Sequence, residues 1–331
     1  MTRKLLLCAI VIAFVVAAAD AQQCTGIHQV SWPAANPVWT FCWVPPDTSS
    51  GPDGSGIELR HVFYKGHRVF WKANMPVLNV LYDGNACGPY RDWFNELSVF
   101  DANNVISPGY AEPTVPPKTT CDTPGTDPGT FKGVALEKRL DRLILTSVAS
   151  AGWYRYIQKW TFYVDGRIEP RMAFSAVAAP CVNNAHTHHG YYRFDFDVDG
   201  FPNDTISELH KVFWFNFWNA IPTEGHRNRN RWRVTDSGGR GYEVTPGAND
   251  GALPDAWAGS DGWMLRYKFA EEDDGGATGG AMGDAQHITP FENGDPITNQ
   301  DVVLWYRVAA RHDMGLGCAM AGPTLTPFGP W

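Results

Sequence analysis

Trp153-Tyr-Arg-Tyr-Ile-Gln-Lys-Trp-Thr-Phe-Tyr-Val164, then Asp165-Gly166, then Arg167-Ile-Glu-Pro-Arg-Met-Ala-Phe-Ser-Ala-Val177 is the stretch that sets the fold. Two runs rich in aromatic and β-branched residues flank Asp-Gly, a dipeptide that tolerates the left-handed backbone of a two-residue hairpin turn. A hairpin over 153–177 follows, with Tyr154, Tyr156, Trp160 and Phe162 on one face of its first strand. The same patterning recurs along the chain. Ile57 to Tyr64 and Arg68 to Ala73 flank Lys65-Gly66-His67 as a second hairpin, which Met75 to Tyr82 extends by a third strand. His186 to Val198 alternates strictly, Lys211 to Trp218 reads as an apolar strand, and Asp301 to Ala310 is the last strong one. Glycine (33) and proline (24) are abundant, and 13% of the 331 residues are aromatic, which favours short strands and turns over long helices. The expected fold is all-β, a large antiparallel β-sandwich in one domain, with no internal repeat.

Arg3 and Lys4 precede an apolar run from Leu5 to Val16, and Ala19-Asp20-Ala21 offers a small-x-small cleavage pattern, so residues 1–21 read as a secretory signal. The run is too short to span a bilayer, and the protein is expected to be secreted, with no membrane span. Cys24, Cys42, Cys87, Cys121, Cys181 and Cys318 then remain, an even number that suits disulfides in an exported protein. Asn203-Asp204-Thr205 is a glycosylation sequon. The net charge of -8 argues against a nucleic-acid partner, and the short basic run from Arg227 to Arg233 does not change that.

The chemistry concentrates in His186-Thr-His-His-Gly-Tyr-Tyr-Arg-Phe-Asp-Phe-Asp-Val-Asp-Gly200. On a strand, His186 and His188 share a face with Tyr192, Phe194 and Phe196, which sends two imidazoles into an apolar interior. A transition metal would satisfy both rings; so would ordinary hydrogen bonds to backbone. The opposite face carries Asp195, Asp197 and Asp199, which fit either a calcium site or a solvated polar face. The string is not an EF-hand, because Ile206 stands where the closing glutamate belongs.

Four ordered segments resemble the catalytic domain of the copper amine oxidases. They are Gly56-Ile-Glu-Leu-Arg-His-Val-Phe-Tyr-Lys-Gly-His-Arg-Val-Phe-Trp-Lys-Ala73, the His-x-His strand with Arg-Phe-Asp-Phe-Asp-Val-Asp-Gly, Trp232-Arg-Val ahead of Tyr242 to Gly247, and Asp301-Val-Val-Leu-Trp-Tyr with a later His312. The likeness covers most of residues 56–325. After the signal segment 1–21 and an N-terminal extension at 22–55, it implies a catalytic domain at 56–331 without the small domains that precede it in the family. It also implies three histidines on one Cu(II) and a tyrosine oxidised to topaquinone. The activity implied is oxidative deamination of a small primary amine or a protein lysine amine by O₂, giving aldehyde, ammonia and hydrogen peroxide. A homodimer is a further implication.

By position, the resemblance makes His186, His188 and His312 the copper ligands and Tyr154 the quinone precursor. The flanks of Tyr154 depart from the family pattern: Trp153 and Arg155 replace an Asn and an acid. Tyr82 matches the tyrosine that hydrogen-bonds the quinone. Fourteen residues later Glu96 occupies the place of the catalytic base, with Asp92 as the other candidate in that loop. Asp195, Asp197 and Asp301, with the carbonyls of Phe196 and Val302, match a peripheral calcium site. The altered flanks and base also suit a second reading, a non-catalytic secreted metal-binding or structural protein on the same scaffold.

Overall fold

The computed structural model describes residues 26–178, 180–228, 230–251, 253, 255, 259–273 and 288–331. The expected signal segment 1–21, Cys24 and most of the acidic stretch 271–284 lie outside them. The described chain forms two large sheets and only short 3₁₀ turns. In the first sheet the strands run, side by side, Gln29–Trp32, Trp39–Val44, Glu58–Tyr64, His67–Tyr82, His186–Phe196, Val302–His312, Gly262–Arg266 and Gly225–Arg227, with Tyr90–Arg91 also paired to His67–Tyr82. The second runs Phe215–Ala220, Asp204–Val212, Trp232–Thr235, Gly241–Thr245, Thr324–Phe328, Ile168–Ala176, Tyr154–Tyr163, Arg142–Ala151, Gly133–Lys138, Gly109–Ala111 and Val105–Ser107. All pairings are antiparallel except Gly109–Ala111 with Gly133–Lys138. The fold is the expected all-β sandwich.

The hairpin at Asp165-Gly166 forms as the sequence dictates: Tyr154 to Phe162 pair with Ala176 to Ile168, and Gly166 takes the left-handed backbone the turn requires (φ 93°). Its inward rings meet the other sheet. Trp160 packs edge-on against Tyr192 at 5.6 Å, and Phe162 stacks on Phe41 at 4.6 Å. Each such side chain, wholly withdrawn from water, contributes about 1.5–3 kcal/mol.

Three departures from the sequence reading have local causes. Arg68 to Ala73 and Met75 to Tyr82 are not two strands but one, His67–Tyr82; the apparent break at Asn74 is a register shift against His186–Phe196 between Tyr191 and Arg193. Lys211 to Trp218 is not a single strand but the tip of a hairpin turning at Phe213-Trp214, without the Asn or Gly that signals a turn. Residues 26–55, expected as an extension, supply two strands of the first sheet, and Trp32, Trp39, Phe41 and Trp43 are buried in the common core.

Two disulfides link distant loops, Cys87–Cys181 across 94 residues and Cys121–Cys318 across 197. Closing such long loops restricts the unfolded chain. Cys42 is disulfide-bonded as well. Among the described residues no helix is long and apolar enough to cross a membrane.

Candidate functional site

Strand register builds the site. His186 lies directly between Tyr82 and His312 on the flanking strands, and His188 projects two residues further along the same face. From the opposite sheet come Tyr154, Tyr156 and Phe174, the last two paired with each other. The imidazole centroid of His186 is 5.0 Å from that of His188 and 5.2 Å from that of His312, and Phe174 lies against all three rings, 3.6 Å from His188. The structure therefore brings the three histidines and Tyr154 into one cluster.

Two hydrogen-bonded chains run through it. In the first, His186 Nδ1 lies 2.6 Å from the Asn184 carbonyl, which assigns the proton to Nδ1 and leaves Nε2 as an acceptor. Tyr154 donates to that Nε2 at 3.2 Å and accepts from Tyr82 at 2.7 Å. In the second, Tyr156 donates to the Asp92 carboxylate, and its oxygen accepts from His188 Nδ1 at 2.7 Å. His188 Nε2 is then the lone-pair nitrogen, buried and without a hydrogen-bond partner, and buried His312 Nδ1 also has none among the described residues.

Burial governs the ionisation. It lowers His186 to about 4 against the opposing effect of the Asn184 carbonyl, and drives His188 well below the usual imidazole range, with His186 adding to the shift. His312 is lowered by the same cause. All three are neutral, the form that binds metal. Burial lifts Tyr82 to about 12, and lifts Tyr154 further with the help of the Tyr82 phenol. Asp92 rises to about 7 through burial, opposed by its bond from Tyr156 and by Arg91.

A cavity of about 260 Å³ opens onto this cluster, lined by Tyr82, Tyr90, Asp92, Trp93, Trp153 and Tyr154 with small apolar neighbours. Glu96 does not line it: the side chain is exposed and accepts from Trp93 Nε1 at 3.3 Å. The loop folds back so that the Asp92 amide donates to the Leu78 carbonyl at 2.9 Å, which brings Asp92 and not Glu96 to the cavity. Arg155, the charge-reversed neighbour of Tyr154, turns away and pairs with Asp127 through two bonds of 2.7 and 2.8 Å.

Solved structures similar to the sandwich include a copper-containing benzylamine oxidase from Hansenula polymorpha (TM-score 0.64, 12% identity over 91% of this chain), a lysyl oxidase from Pichia pastoris (0.60, 14%, 88%) and an amine oxidase from Aspergillus nidulans (0.56, 18%, 91%). The fold is that of the copper amine oxidases. This chain spans 59%, 51% and 51% of those three chains respectively, so it is similar to about half of each. No family model matches the sequence, and no curated protein does.

For the copper that this fold implies, the donors present are suited: three neutral imidazoles, of which two have unpartnered buried nitrogens and one has its tautomer set by a carbonyl. As placed, however, no group of three or more His, Cys, Asp or Glu side chains among the described residues encloses a single metal position.

The expected calcium residues also gather. Asp195, Asp197 and Asp301 line a second cavity of about 160 Å³ with Trp71, Phe201 and Tyr267, and Phe196 and Val302 pair with each other beside it. Sequence reading missed two features here. Arg193 and Arg68 already pair with Asp195 (3.2 Å) and Asp197 (2.5 Å), and a further buried carboxyl, Asp204, accepts from the Val198 amide at 3.0 Å. Burial raises Asp195 to about 7, Asp301 to about 6 and Asp204 to about 8, with neighbouring carboxylates adding to each.

Those shifts fix the sign of a pH dependence. A carboxyl whose pKa is higher folded than unfolded binds more protons in the folded state, so stability falls as pH rises from about 4 to about 8. His186 acts oppositely, but only between about pH 4 and 6.5. Urea midpoints of the metal-free protein should therefore fall between about pH 6.5 and 8, and calcium should remove the fall; a flat metal-free profile would contradict the carboxyl assignment.

Proposed function

We propose that this protein is a secreted copper-dependent primary-amine oxidase, in which an amine, O₂ and water give an aldehyde, ammonia and hydrogen peroxide. The observation that carries the reading is the chain Tyr82–Tyr154–His186, a phenol held between a second phenol and an imidazole at the floor of a cavity that also presents Asp92. Residues 1–21 are the secretory leader in this reading and 56–331 the catalytic domain, with 26–55 packed onto it.

His186, His188 and His312 would hold copper, and copper with O₂ would convert Tyr154 to the quinone that serves as the electron sink. Tyr82 fixes the oxygen of residue 154 through its hydrogen bond and keeps its own proton, since its pKa is near 12. Asp92 is the base that removes the proton from the carbon beside the amine nitrogen, because a carboxyl near 7 is about half ionised at neutral pH and more basic than an ordinary carboxylate. Glu96 has no part in this step. Tyr90, Trp93 and Trp153 supply aromatic walls that accept the body of a small amine; a cavity of about 260 Å³ suits such a substrate better than a lysine within a folded protein. Asp195, Asp197 and Asp301 with the Phe196 and Val302 carbonyls would bind calcium as a structural ion, away from the reaction.

The test is peroxide release. Copper-loaded protein given small aromatic and aliphatic primary amines should produce peroxide and aldehyde in equal amounts. If it binds copper and yields neither, the second reading holds, a non-catalytic secreted metal-binding or structural protein on the same scaffold; Trp153 and Arg155, the altered flanks of Tyr154, favour that alternative.

A further inference from the structure

The hairpin formed by Asp204–Val212 and Phe215–Ala220 ends the second sheet, and its tip is apolar and bare. Phe213 is 88% exposed, Trp214 86% and Phe215 67%, with Val212 and Phe217 exposed beside them. A two-residue turn ordinarily takes Asn-Gly; here Phe213 adopts the left-handed backbone (φ 55°), where a bulky side chain is disfavoured. Soluble surfaces rarely carry so large an apolar projection without an occupant.

The charge around the tip favours one occupant, an anionic surface. From Leu209 to Ala220 the hairpin contains no carboxylate and one lysine, Lys211, in a chain of net charge -8. Below the tip sits a collar of Arg227, Arg231 and Arg233 against two carboxylates, Glu208 and Glu243. Arg233 also lies over the Trp218 ring at 4.1 Å, which braces the hairpin's base. The Leu209 amide bonds the Arg231 carbonyl, so the collar is four residues from Phe213, about 13 Å along the strand. An aromatic tip about 5–10 Å deep in the acyl boundary would place Lys211 and this collar, which has one positive charge in excess of its two carboxylates, at the level of anionic headgroups.

We infer that the Phe213-Trp214-Phe215 tip seats this protein on the interface of an anionic lipid bilayer, without spanning it. The inference is independent of the oxidase reading. The intact protein should co-sediment with vesicles of equimolar phosphatidylcholine and phosphatidylserine, and far less with phosphatidylcholine alone. The double variant Phe213→Ala, Trp214→Ala should lower partitioning on the order of a hundredfold. Lys211→Glu should weaken binding to the phosphatidylserine vesicles by about tenfold and leave phosphatidylcholine binding unchanged. Unchanged thermal melting would show that both variants fold. Wild-type protein that stays in the supernatant with both vesicles, a double variant that binds as wild type does, or a lipid-free dimer that the double variant dissolves would each overturn the inference.

Discussion

Tyr154→Phe should remove both the visible absorption and the amine turnover of the copper-loaded protein while leaving its copper in place. The substitution keeps the ring, which packs 4.6 Å from His188 and 5.9 Å from Phe174, and deletes only the oxygen. His186 keeps its orientation, because its Nδ1 proton remains on the Asn184 carbonyl. Tyr82 loses the partner it holds at 2.7 Å, a cost to stability of about 1–2 kcal/mol. No other oxygen at that point is available for oxidation, so loss of turnover should be complete. An absorption band that persisted would assign the precursor to another phenol, and Tyr156, whose oxygen lies 2.7 Å from His188 Nδ1, would be the first to examine.

The second large effect belongs to Asp92. Asp92→Asn should lower turnover by about 10²–10⁴-fold, the usual worth of a positioned base, with copper and absorption retained. Glu96→Gln should change little, since that side chain is exposed and turned to Trp93 Nε1. The wild-type rate should rise as pH passes about 7, where Asp92 loses its proton, and the rise should vanish in the Asn variant. The measurement is steady-state peroxide release for the two variants across pH 5–9. Inactivity of Glu96→Gln with survival of Asp92→Asn would reverse the assignment.

These two carboxylates show where sequence reading stops. Counting fourteen residues from Tyr82 selects Glu96, but the loop does not run straight. Tyr90 and Arg91 pair back onto Val80 and Asn79, and Cys87 is tied to Cys181, which presents Asp92 four residues earlier. Contacts of that kind are non-local, and no spacing encodes them. Strands and turns, by contrast, were legible wherever periodicity and turn chemistry agreed, as at Asp165-Gly166. The Phe213-Trp214 turn lacks that chemistry, and its apolar pattern is that of continuous strand.

Alternation along His186–Phe196 placed the two imidazoles on one face, yet it could not show that the other face is buried as well. There Tyr191 packs with Trp263, Val303 and Trp305 from strands more than sixty residues away in sequence, and Arg193 pairs with Asp195 in the interior. Tyr156 illustrates a different limit. Its position among inward aromatics is that of a core residue, and it is one, but its hydroxyl also joins Asp92 to His188. Burial and function coincide there, and a periodicity argument reports only the burial.

The measurement that bears most directly on the whole account is copper stoichiometry with and without the buried imidazole at position 188. After metal stripping and reloading, the wild-type chain should retain one copper per molecule through desalting, and His188→Ala should retain little or none while calcium binding is unaffected. A wild-type protein that holds no copper, or a His188→Ala protein that holds as much, would contradict a metal centre built on these histidines.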